Sequence, residues 1–110
     1  METIKLLEKF ELGGQVKAAQ NKEVRELFNG AKRRIIEIKL AENAVLTKHQ
    51  APEPITVLCL SGKGIFWAGE NLEEKLDLSA GVLLTLDAGI LHEVTAAPEI
   101  HILVTRFKDI

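Results

Sequence analysis

Gly81-Val82-Leu83-Leu84-Thr85-Leu86-Asp87-Ala88-Gly89-Ile90-Leu91-His92 reads as a turn glycine, an apolar strand, a tight turn and a histidine that opens the next strand. Short β-prone runs closed by Gly, Asp or Pro are the sequence form of strands packed on a core. A second stretch, Asn43 to Gly62, complements the first. There His49 follows a turn, and the strand Ile55–Leu60 ends at Ser61-Gly62-Lys63-Gly64, read as a turn. Each half is expected to bring one histidine to the beginning of a strand, which suits a pocket inside a small β-barrel.

Outward from these stretches the pattern stays β. Ile35-Ile36-Glu37-Ile38-Lys39-Leu40 alternates, with Ile36, Ile38 and Leu40 on one face and Glu37 and Lys39 on the other. Ala51-Pro52-Glu53-Pro54 is loop, because two prolines remove donors and push their predecessors toward extended geometry. Ile65-Phe66-Trp67, Leu72–Leu78, Val82–Leu86, Ile90–Thr95 and Glu99–Phe107 complete the series of strands. Residues 15–28 carry two signals: Val16, Gln20, Val24 and Leu27 have helical spacing, whereas Asn29-Gly30 between β-prone runs marks a hairpin. The favoured reading is a strand over Glu23–Phe28 turning into Lys32–Leu40. Thr3–Phe10 is an apolar edge strand or arm. Seven or eight strands at spacings near ten residues predict an all-β sandwich or barrel.

Composition narrows the function classes. The chain has 110 residues, 46% of them hydrophobic, enough for one domain with a real core. Residues 1–30 form the N-terminal arm and first strand of that domain, and 31–110 its barrel core. Net charge is −2 and aromatics are sparse (Phe 4, Trp 1, Tyr 0), so neither a basic stripe nor a base-stacking platform supports nucleic-acid binding. No apolar run is long enough to span a membrane as a helix, and Met1-Glu2-Thr3-Ile4-Lys5 lacks the basic start of a signal peptide. The single cysteine, Cys59, cannot form an internal disulfide. A cytoplasmic location is the expectation.

The two histidine stretches resemble the cupin superfamily, whose jelly-roll barrels (double-stranded β-helices) carry two motifs. The first family motif runs Gly, five residues, His-x-His, three or four residues, Glu, six residues, Gly. Counted back from Gly62, it places Ile55 at the Glu, Ala51 at the second His, His49 at the first His and Asn43 at the leading Gly. The second motif matches Gly81, Gly89 and His92 in register, with Asp87 at the Pro and Ala96 at the Asn. In the family, the two motif-one histidines, the glutamate and the motif-two histidine hold one divalent transition metal. The resemblance therefore implies a metal pair at His49 and His92, with zinc, iron, manganese or nickel as the cofactor class. The other two ligand positions are Ala51 and Ile55, and catalytic sites generally need three protein ligands.

Around the histidines, Val57 and Cys59 share strand parity with Ile55 and are expected inside the barrel. Cys59 reads as a small buried hydrophobe rather than a nucleophile. Trp67 is expected to line a ligand pocket or plug the barrel end. Glu53 is placed in a solvated loop, with His49 in reach, and Asp87 in a turn. The direction of His101 stays open, because its strand is apolar in both phases. The resulting expectation is a small-molecule-binding barrel with its pocket at His49, His92, Val57, Cys59 and Trp67. The alternative implied by the resemblance is a metal-dependent dioxygenase, isomerase or decarboxylase. Several strands with apolar residues in both phases, Leu58 and Leu60 among them, and the arm Thr3–Phe10 point to a homodimer.

Overall fold

The computed structural model describes residues 3–18 and 20–108. The outermost ends of the expected domain, residues 1–2 and 109–110, and residue 19 within the ambiguous 15–28 stretch lie outside the described residues. Seven strands are present: β1 (Lys22–Asn29), β2 (Arg33–Leu40), β3 (Val45–His49), β4 (Ile55–Ala68), β5 (Glu74–Ser79), β6 (Leu83–Leu86) and β7 (His92–Phe107). All pairings are antiparallel. Among the described residues there is no helix, and so none long and apolar enough to cross a membrane.

Two long strands organise the rest. β4 and β7 pair along nearly their whole length, from Ile55↔Arg106 to Ala68↔His92. At one end they are flanked by β2 with β1 beyond it and by β6; at the other by β3 and β5. One long sheet thereby folds into two facing layers, a jelly-roll barrel, with both layers contributing to a single core. Ile36, Ile38 and Leu40 meet Val57, Phe66, Val94 and Ile102 there. The alternation expected for β2 holds on the inner face. β1 and β2 form the hairpin expected at Asn29-Gly30, closed by Gly30 N–H donating to Arg33 O at 2.9 Å.

Several boundaries differ from the sequence reading, each for a local reason. Ser61–Gly64 is not a turn: β4 continues through it with two register shifts against β7, between Cys59 and Ser61 and between Gly62 and Gly64. A Cβ on Gly62, whose φ is +82°, would lie 2.2 Å from the Glu99 carbonyl oxygen, and one on Gly64 would lie 2.5 Å from that of Thr95. The glycines therefore mark a bulged bend where β4 hugs β7. Likewise the expected strands Ile90–Thr95 and Glu99–Phe107 merge into one, β7, which starts only at His92. β5 starts only at Glu74, because Leu72 adopts φ +52° in the preceding turn. His49 ends β3 instead of opening a strand.

The arm forms no regular strand. It lies over the outer face of the barrel, where Gly13 N–H donates to Leu60 O at 2.8 Å and Phe10 sits edge-on to His101 with 5.5 Å between centroids. Leu60 is buried within the chain, and so is not a bare dimer seam.

Candidate functional site

The site is built by the pairing of β3 with β7, which sets His49 directly opposite His92. Their ring centroids are 4.2 Å apart, with the planes tilted by 60°. Both rings are tied by the same local device. His49 Nδ1 lies 2.7 Å from Thr47 O, and His92 Nδ1 lies 2.9 Å from Ile90 O. A carbonyl only accepts, so each Nδ1 carries the proton and each neutral ring keeps its lone pair on Nε2. Phe66 stacks on His92 at 5.5 Å, nearly parallel at 11°. Burial pushes the His92 pKa below the ordinary imidazole value; the Ile90 carbonyl opposes this, and the nearby His49 adds a smaller push downward. His49 lies at the exposed mouth.

Behind the rings is a cavity of about 120 Å³ with largely aliphatic walls. Ala51, Ile55 and Val57 line it together with His49 and His92. All four positions of the motif register thus converge on one cavity, two of them occupied by side chains with no donor atom. Arg106 also reaches the cavity, but its guanidinium is engaged: Nε donates to Glu53 Oε1 at 2.5 Å. Among the described residues no group of three or more His, Cys, Asp or Glu side chains could hold a metal ion. The donor set therefore does not fit a resident metal with the family's ligands.

Three of the five residues expected in the pocket line it: His49, His92 and Val57. Cys59 is buried in the core but does not line the cavity. Its thiol lies 3.5 Å from Ser61 O, and burial pushes its pKa up, the reverse of what a nucleophile needs. Trp67 is on the outer face: its Nε1 donates to Thr95 Oγ1 at 3.1 Å, and Lys75 lies over the ring. The bend explains this correction. Before it the odd-numbered residues of β4 point inward, and after it the even ones do, so Phe66 takes the inner place. Glu53 is half-buried rather than a solvated loop side chain; it is the partner of Arg106. Asp87 is exposed beside the turn at Gly89, whose N–H donates to Ala51 O at 2.8 Å. His101 points outward, and its Nε2 lies 2.8 Å from Glu37 Oε2. The sequence reading missed Phe66 and Arg106; the paired glycines at 62 and 64 were the signal for Phe66.

No protein-family model and no curated protein matches the chain. Solved structures do match. A conserved protein of unknown function from Streptococcus pyogenes aligns at TM-score 0.76 and 17% identity, over 99% of each chain. A cupin superfamily protein from Desulfitobacterium hafniense aligns at TM-score 0.77 and 15% identity, over 93% of this chain and all of that one. A DMSP lyase from Ruegeria pomeroyi aligns at TM-score 0.73 and 15% identity, over 82% of this chain and 48% of the lyase. At these identities the likeness is one of fold, and by fold this chain is a small cupin barrel.

Proposed function

We propose that the protein binds a small organic molecule in the cavity beside His49 and His92, and that any divalent metal there is weakly held. The observation that carries this reading is a pair of histidines, each with Nδ1 spent on a backbone carbonyl, lining a cavity whose remaining motif positions are Ala51 and Ile55. Two imidazoles provide too few donors for a tight metal site, while concave apolar walls with a few placed polar groups are the usual make-up of a ligand pocket. Elemental analysis of the purified protein is expected to give substoichiometric metal. Ala51→His combined with Ile55→Glu is expected to raise zinc or nickel affinity at least about tenfold by calorimetry, because loss of even the outer partners that orient metal ligands costs about ten- to a hundredfold. An unchanged affinity would overturn the assignment of the four positions. The rival reading is a metal-dependent dioxygenase, isomerase or decarboxylase, supported by the lyase of the same fold. Stoichiometric iron, manganese or nickel would favour it, because this fold hosts many chemistries.

We also propose that two copies pair through the arm. The chain exposes 7055 Å², about 1,000 Å² more than the roughly 6,000 Å² expected for a monomer of its mass. That excess is close to what one partner of a standard interface buries, about 800 Å². Ile4 and Leu6 contribute to it, 86% and 85% exposed. Light scattering at micromolar concentration is expected to give a dimer mass that Ile4→Lys with Leu6→Lys reduces to monomer. A wild-type monomer would refute the pairing.

A further inference from the structure

We infer that the cavity selects a neutral, single-ring molecule bearing one O–H or N–H donor, a phenol being the simplest member of the class. This rests on reading the cavity as a small-molecule site and goes on to say what the molecule must be.

Size comes first. A cavity of about 120 Å³ is slightly smaller than the roughly 150 Å³ engineered apolar cavity that stays dry and takes up benzene. One ring fills it, and anything larger would have to extend out through its open mouth.

Polarity comes next. Ile55, Val57 and Phe66 offer nothing to hydrogen-bond, and Gln50, the other uncharged polar residue on the wall, is exposed to water, so the body of the ligand is apolar. With Nδ1 of both histidines donating to carbonyls of their own strands or turns, the two Nε2 atoms only accept. A ligand that only accepts leaves them unpaired, and a ligand with no polar group displaces their water without replacing it; both lose affinity. A single donor aimed at the ring pair satisfies the polar end.

Charge decides the rest. The cation on the cavity wall, Arg106, is paired with Glu53 through Oε1, so its charge is already compensated. A carboxylate ligand would face two lone pairs without a free counter-charge, and an ammonium would be desolvated against aliphatic walls. Burial of an unpaired charge costs far more than such a pocket returns. The neutral donor remains.

Calorimetry with three probes of nearly equal shape tests this at pH 8: phenol, toluene and benzoate. Phenol is expected to bind at least tenfold more tightly than toluene, and benzoate to show no heat. Binding of phenol is expected to shift the Nε2 resonances of His49 and His92 in nitrogen-15 spectra. His49→Ala is expected to bring phenol and toluene within about threefold of each other. His49→Gln, which restores an acceptor, is expected to recover part of the preference. Equal binding of phenol and toluene, or preferred binding of benzoate, overturns the donor inference while the cavity still stands as a ligand site. Failure of all three probes to bind overturns the reading of the cavity itself.

Discussion

His92 and His101 lie on the same strand, β7, and both are buried, yet they end in opposite circumstances. His101 faces outward under the arm, where its Nε2 is bound to Glu37 and the other oxygen of Glu37 accepts from Arg25 Nε at 2.9 Å. Arg25 in turn reaches Glu8 on the arm. That cluster is closed: each charge is spent on another residue of the chain, and its product is a fastened arm. His92 faces inward, lines the cavity, spends its proton on its own backbone at Ile90, and has no side-chain partner for Nε2 among the described residues. Burial and residue type are shared by the two histidines. The ring nitrogen left uncommitted separates a fastener from a binding group.

The widest break in this comparison comes at the bend that assigns side chains to faces. Gly62→Ala puts a Cβ against the Glu99 carbonyl at positive φ, and is expected to cost about 3 kcal/mol in urea unfolding. A loss below about 1 kcal/mol would show that the bend does not need its glycine. Next in size, Glu37→Ala strips the buried partner from His101 and Arg25. Its expected cost is about 2 kcal/mol, seen as a fall in Tm of roughly 10 °C, with binding in the cavity unchanged. Loss of cavity binding in that variant would mean that the two faces are coupled. His49→Ala should do the opposite. It is expected to change stability by less than about 0.5 kcal/mol, as at an exposed strand end, while weakening ligand and metal binding.

The smallest effect is one of pH. The folded-state pKa of His92 lies below that of the unfolded chain, because burial disfavours its charged form. Between the two values the unfolded chain binds more protons, so stability rises with pH through that window and falls as the pH drops below the ordinary imidazole range. His92→Phe is expected to flatten this part of the pH–stability curve. A curve unchanged by the substitution would place the acid sensitivity elsewhere.

How much of this was legible in the sequence depended on whether strand parity could be carried across a break. Within single runs it could: Ile36, Ile38 and Leu40 point inward as their alternation says, and the motif spacing brought His49, Ala51, Ile55 and His92 to one cavity. Across Ser61–Gly64 and Ala97-Pro98 it could not, because Gly and Pro mark turns far more often than continued strands. Parity counted straight through β4 from Cys59 points Trp67 inward, and the bulges reverse it. For β7 the lesson is the converse. Had Ala97-Pro98 been taken as strand, the odd separation of His92 and His101 would have sent them to opposite faces. The partners of Glu53 and Glu37 were not legible at all, since Arg106 and His101 reach them from far along the chain.

The bend in β4 also bears on how such a chain tolerates insertions and deletions. A residue gained or lost in the loop Gln50–Pro54 changes the rim of the cavity and the local contacts of Ala51, Glu53 and Pro54, and leaves the strand parity of β4 as it was. The same event between Cys59 and Gly64 re-addresses every side chain downstream on that strand, sending Phe66 to solvent and Trp67 toward His92. Lineages that differ in length at this one point would share a backbone and a histidine pair while presenting different aromatic walls to their ligands. Alignments that slide a gap across those glycines would hide the change.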